Sequence, residues 1–174
     1  MREASSVEAQ KARLKNNFSL WGLETFDVPG DNNCQFHAVS DQLSQNGVKG
    51  WDGLQLRCKV CEWLADAGDK VMDESGIGER TALQDACGVP GEKWGEYVNE
   101  MRQHDTTWGD EATLLAIATL FEAEVVVVSS ISEDCVRTIT PPEHWRVPVR
   151  IRIFVGHYHE YHYTSCRVAG SFLA

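Results

Sequence analysis

"VPGDNNCQFHAVSDQL", residues 28–43, decides the reading of this chain. Pro29 and Gly30 mark a turn, after which Phe36, Val39 and Leu43 recur at i, i+3 and i+7, one face of a helix. Cys34 therefore falls in the first turn of that helix, three residues after Asp31. Unpaired backbone N–H groups point outward at a helix start, and the positive end of the dipole favours an anion there. A thiol whose free pKa is about 8.5 can fall to roughly 3.5–7.5 in such a place, especially beside a histidine. The same N–H groups can bind the oxyanion of a tetrahedral intermediate. Asp31 and Asn33 are N-cap candidates that would hold the turn in shape. A buried, inert cysteine beside an ordinary Asp cap fits the same letters. A histidine able to act as base is what separates the two readings.

Six histidines are present, His37, His104, His144, His157, His159 and His162, and the last three crowd into "GHYHEYHYTS". With a turn at Gly156 and one regular strand after it, His157, His159 and Tyr161 face one side; Tyr158, Glu160 and His162 face the other. The three histidines then cannot meet on one metal, and a His157/His159 pair lacks a third ligand, so no metal is expected. "CKVC", Cys58 to Cys61, lies among Leu56, Val60 and Leu64 with no second such motif. It reads as core packing rather than as a redox pair or half a zinc site.

A length of 174 residues suits one domain with a real core. Apolar content of 43% against 24% charged argues against disorder. No apolar run approaches the roughly 18 residues of a membrane span. "MREASSVEAQKARLKNNF" is too polar for a secretory signal. The six cysteines are accordingly expected to be reduced thiols, mostly buried, in a cytoplasmic protein. A net charge of −10 with no basic stripe speaks against nucleic acid and for a basic protein or peptide partner.

Residues 5–16 suit a helix capped by Ser5 or Ser6. "LQLRCKVCEWLADAG" reads as a buried helix, and 66–92 as a long, partly mobile loop. Trp94, Tyr97 and Met101 fall at helical spacing, as do Leu114, Ile117, Ala118 and Phe121 after Asp110. The period then changes. "EVVVVSS" is a strand buried on both faces, and "VRIRIFV" alternates Val149, Ile151 and Ile153 against Arg150 and Arg152. Helices first and strands later suggest an α+β or three-layer fold.

Three blocks together resemble the ovarian-tumour (OTU) cysteine proteases. Asp31-Asn32-Asn33-Cys34-Gln35-Phe36-His37-Ala38-Val39-Ser40-Asp41-Gln42 is similar to that family's D-G-N-C-x-F-x-A-[VLI]-S-x-Q segment. "YVNEMRQHDTTWGDEATLLAIATLF" resembles its W-G-x-x-x-x-L helix with the preceding Tyr and Met. "HYHEYHYTS" resembles its closing E-x-H-Y-[ND]-S strand, and selects His162. The likeness runs from about residue 18 to 168.

It implies a papain-like OTU fold, a central, mostly antiparallel sheet flanked by helices, over residues 18–174, with 1–17 as an N-terminal helical extension. It implies a deubiquitinase that needs no cofactor and works as a monomer. Its substrate would be ubiquitin or polyubiquitin, cleaved after the C-terminal glycine. Cys34 would be the nucleophile and His162 the base, with Asn32, Asn33 and Cys34 forming the oxyanion loop. Asp31 ranks before Thr164 as third catalytic member, because Thr164 stands where the family often has Asn or Asp. Trp108 and Glu160 are substrate-binding candidates, although Trp108 also suits a core or cleft wall. Glu96, Asp105, Asp110 and Glu111 could attract a basic tail. Asn32 replaces the family's usual Gly, which predicts a strained loop at positive φ. His37, where the family often has Arg, reads as a residue at the surface or behind the site. A catalytically weak or inactive ubiquitin-binding module, a protease for another ubiquitin-like modifier, and an acyltransferase use the same residues and stay open.

Overall fold

The computed structural model describes residues 7–73, 81–158 and 162–170. The helices are α1 Val7–Ser19, α2 Cys34–Gln45, α3 Gly53–Ala65, α4 Leu83–Ala86, α5 Trp94–Met101 and α6 Glu111–Leu120. The strands are β1 Leu23–Phe26, β2 Ala123–Ser129, β3 Cys135–Ile139, β4 Ile151–Tyr158 and β5 His162–Val168. They form one sheet in the order β1-β5-β4-β2-β3. Only β2 and β4 run parallel among these neighbours; the other pairs are antiparallel. This is the α+β arrangement expected, with its mostly antiparallel sheet.

Period-two alternation explains the unbroken apolar run of β2. Val125 and Val127 join the large core beneath α2, α3, α5 and α6, while Val126 and Val128 pack on the opposite face with Leu14 and Phe18 of α1. The helix α1 crosses residue 17, and both of these side chains are buried. Asn17 fixes it further, donating to Ser129 O at 2.7 Å and Ser132 O at 2.8 Å. Asp110 caps α6, accepting from Thr113 N–H at 3.0 Å.

Three local expectations need correction. Gly156 is not a turn: it lies inside β4, paired with Val128 and Thr164. Its missing side chain makes room for α1, since a Cβ there would stand 2.7 Å from the Phe18 ring and 2.9 Å from Leu14. The strands β4 and β5 are separate and antiparallel, so His157 faces Tyr163 and Tyr158 faces His162 across the pair, and the single-strand alternation fails. His159, Glu160 and Tyr161 lie outside the described residues. The 66–92 stretch contains α4 and a bridge between Val71 and Ala82. Finally, Cys34, Cys61 and Cys166 are buried, but Cys58 and Cys87 are exposed, so only half of "CKVC" belongs to the core.

The contrast between two glycines is testable. Gly156→Ala should cost about 1–3 kcal/mol through overpacking. Gly95→Ala, at a position in α5 where a Cβ meets nothing within 4 Å, should be neutral or stabilise by up to about 1 kcal/mol. Thermal unfolding of the two variants measures both, and equal shifts would contradict the packing of α1 on β4.

Candidate active site

Cys34 opens α2 and is only 3% exposed. Asn33 is the N-cap residue but makes no side-chain cap bond. Asp31 holds the turn instead: its Oδ1 accepts from Asn33 N–H at 2.8 Å, and its backbone carbonyl accepts from Cys34 N–H at 3.1 Å. Its other carboxylate oxygen lies 3.1 Å from His37 Nε2, so the residue in the family's Arg position braces the loop from its outer side. An oxyanion at Cys34 N–H would have to displace the Asp31 carbonyl. The strain expected at Asn32 is absent, because positive φ outside glycine occurs, among the described residues, at Glu122, Asp134 and Arg146. The Asn32 side chain donates to Asp105 O, a contact a glycine would lack.

The strand β5 brings His162 to this turn. Tyr163 N–H donates to Cys34 Sγ at 3.3 Å, which sets the peptide following His162 against the thiol. A Cβ at Gly30 would lie 3.7 Å from His162 Cε1, and the Tyr158 ring lies 4.8 Å from the imidazole between centroids. Burial pushes the His162 pKa down, opposed by the negative charges of Asp27 and Asp31. Burial also pushes the Cys34 thiol up, against backbone hydrogen bonds from Tyr163 and Gln35, while the Asp31 charge adds to the rise. Burial thus works against the charged form of each group, the thiolate and the imidazolium. Desolvation opposes the help that the helix dipole gives a thiolate here.

The other predicted residues take varied places. Thr164 is buried, and its hydroxyl is directed at Phe26 O (3.0 Å) and Ser165 O (2.7 Å). Trp108, 45% exposed, lines a cleft of about 470 Å³ with Gly109, Glu111, Arg137, His157 and Tyr163. His157 stacks on Tyr163 there at 4.5 Å. Of the acidic candidates, Asp110 is engaged by Thr113 and by Tyr97 Oη at 2.7 Å, whereas Glu111 pairs with Arg137 at 3.2 Å inside the cleft. Glu160 lies outside the described residues. Among the described residues no three His, Cys, Asp or Glu side chains gather as a metal site.

The family model of OTU-like cysteine proteases matches residues 29–163, from the turn before Cys34 to the residue after His162. The chain belongs to that family. An Arabidopsis thaliana relative, OVARIAN TUMOR DOMAIN-containing deubiquitinating enzyme 11, is 30% identical over 90% of this chain and 55% of its own length. Deubiquitinating enzyme 10 of the same plant is 26% identical over 88% of this chain and 37% of its own. The chain thus spans about half the length, or less, of these relatives. Among solved structures the OTUD1 OTU domain shares the fold at a TM-score of 0.64 and 17% identity, covering 92% of this chain and 96% of that one. The Hazara virus OTU bound to ubiquitin matches at 0.54 and 14% identity, over 84% and 81%.

Two further residues of this OTU chain escaped the motif reading. Gln35, buried directly after the cysteine, donates from Nε2 to Asp110 O at 3.1 Å and accepts from Thr113 Oγ1 at 2.6 Å. A Cβ at Gly109 would collide with its amide, which explains the glycine after Trp108. Arg57 is the second: it is 2% exposed on the inner face of α3. A charge placed among Leu56, Val60 and Leu64 was the signal available for it.

Proposed function

We propose that this OTU chain is a thiol-dependent ubiquitin isopeptidase, acting as a monomer in the cytoplasm on ubiquitin or polyubiquitin. The observation that carries the reading is the Tyr163 N–H on Cys34 Sγ at 3.3 Å, which joins the His162 strand to the nucleophile's turn. The names of the Arabidopsis relatives and the ubiquitin-bound OTU structures support the substrate. The six thiols support a reducing compartment. No helix among the described residues is long and apolar enough to cross a membrane.

In this reading the neutral His162 takes the proton as Cys34 Sγ attacks the carbonyl carbon of the C-terminal glycine. The carbonyl oxygen becomes the oxyanion, bound by backbone N–H groups of the Asp31–Cys34 turn once it displaces the Asp31 carbonyl from Cys34 N–H. Collapse breaks the isopeptide C–N bond, and His162 returns its proton to the departing lysine amine. A thioester remains. Water, deprotonated by His162, attacks it, and the thiol leaves with a free ubiquitin carboxylate as product. Asp31 acts as the third member by fixing the turn, and Trp108 forms a wall of the cleft that receives the tail.

The test is labelling by ubiquitin carrying a C-terminal thiol-reactive group. One added ubiquitin on wild type, and none on Cys34→Ala, is expected. Labelling that survives Cys34→Ala would sink the assignment of the nucleophile. Binding without labelling would favour the inactive module, for which the engagement of Cys34 N–H by Asp31 O speaks.

A further inference from the structure

We infer that Arg57 is a positioning residue for this reaction, whose buried guanidinium locks the nucleophile's turn and the cleft-forming segment 101–109 into one fixed relation. The inference rests on the hydrolase reading above and adds a residue that no part of the proposed chemistry uses. Arg57 Nη1 donates to Asn32 O at 3.2 Å and to Asn33 Oδ1 at 2.9 Å, both in the oxyanion loop. Its Nε donates to Met101 O at 2.7 Å, and Nη2 donates to Gln103 O at 3.3 Å and to Thr107 O. The guanidinium lies over the Phe36 ring at 5.1 Å.

The acceptors are neutral: five oxygens and, at 4.0 Å from Nη2, the Met101 sulfur. A buried cation without a carboxylate in its hydrogen bonds is an expensive way to fill a core position, and an apolar side chain of similar length would pack there at lower cost. What the apolar side chain cannot do is hold two loops at once. Met101 ends α5, so its carbonyl lacks a partner within that helix; Asn32 and Asn33 form the turn that starts α2. Arg57 therefore bridges the end of one helix and the beginning of another, and its rigid planar fork sets their separation.

Two other contacts tie the same pieces. The Asn32 side chain donates to Asp105 O, and Gln35 donates to Asp110 O at 3.1 Å. Between these anchor points lie Trp108 and Gly109 of the cleft wall. The wall that orients the substrate tail and the turn that presents the thiol thus move as one body. Arg57 also binds the carbonyl of the peptide whose N–H, on Asn33, donates to Asp31, so the chain of polarised groups ends at the turn's own carboxylate.

Arg57→Lys keeps the charge but replaces the fork by a point donor. Measured on ubiquitin bearing a fluorogenic C-terminal amide, its kcat should fall about 100-fold, the scale of a misplacement of about 1 Å or a lost oxyanion donor. Alkylation of Cys34 by iodoacetamide, which uses neither the hole nor the cleft, should stay within about threefold. The Asn33→Ala, Arg57→Lys double variant should be no slower than the worse single variant, since both act on one tether. A folded Arg57→Lys with kcat within threefold of wild type overturns the inference, as does an equal loss of hydrolysis and alkylation. If Arg57→Lys fails to fold, Asn33→Ala reads the same tether from the loop side: a tenfold or larger fall in kcat at unchanged alkylation supports it, and unchanged kcat overturns it. A wild type that cleaves no ubiquitin substrate overturns the hydrolase reading together with this one. A wild type that cleaves, beside an unimpaired Arg57→Lys, overturns this one alone.

Discussion

His162→Asn is expected to reduce kcat/KM for ubiquitin substrates by about 10³–10⁴-fold while leaving the reaction of Cys34 with iodoacetamide at pH 7 nearly unchanged. The two results belong together. Burial holds the Cys34 thiol above its ordinary range and the imidazole below its own, which favours a proton on sulfur. A small alkylating agent samples only the minor thiolate, whose population is set by burial. Hydrolysis needs the proton moved during attack, the role proposed for His162. The pH dependence has a definite sign. Since the thiol pKa is raised, alkylation should climb about tenfold per pH unit between 7 and 9 without a plateau. Since the imidazole pKa is lowered, the acid limb of kcat/KM should fall below pH 6.5, the ordinary histidine value. A plateau in alkylation near pH 7 that vanishes in His162→Asn would mean a resting ion pair, contrary to the burial argument.

Asp31→Ala should separate the same two measurements in opposite directions. Losing the carboxylate leaves Asn33 N–H and His37 without their acceptor and loosens the turn that aims the nucleophile. Hydrolysis should drop about 10–100-fold, the scale of a misplaced reacting group. Alkylation of Cys34 should accelerate, because the Asp31 charge is one of the influences holding that thiol protonated. Thr164→Val makes the comparison. Its hydroxyl is turned toward Phe26 O and Ser165 O, so the change should cost about 1–2 kcal/mol of stability and leave kcat within a few-fold. Kinetics and thermal unfolding of both variants rank the two as third member; a larger kcat loss in Thr164→Val would reverse the order.

What the sequence made legible follows from period and burial. The helix α2 showed itself by its apolar spacing, and β2 by a run in which every residue meets a core on one face or the other. The strands β1 and β3 stayed hidden because they are short edges, half-exposed along almost their whole length, and carry no alternation. Gly156 misled because a glycine among aromatic and histidine residues resembles a turn, whereas its role is set by α1 pressing on the opposite sheet face. The cysteine and histidine were visible through motif likeness. Their protonation was not, since the helix dipole can be read from spacing but desolvation needs the packed surroundings. Asn32 was expected to strain the loop, yet it relaxes into ordinary φ and gains a tether to Asp105.

The strand order has a kinetic meaning as well. The last of the described strands in chain order, β5, is not an edge: it is inserted between β1 and β4, and it carries the histidine. Closing that interior gap joins segments more than a hundred residues apart, the kind of long-range pairing that folding completes slowly. A half-folded chain without that pairing therefore keeps Cys34 apart from the histidine proposed as its base. In the proposed reading, a chain whose β5 is not yet inserted lacks the Cys34–His162 pair, so the site forms only when the sheet closes.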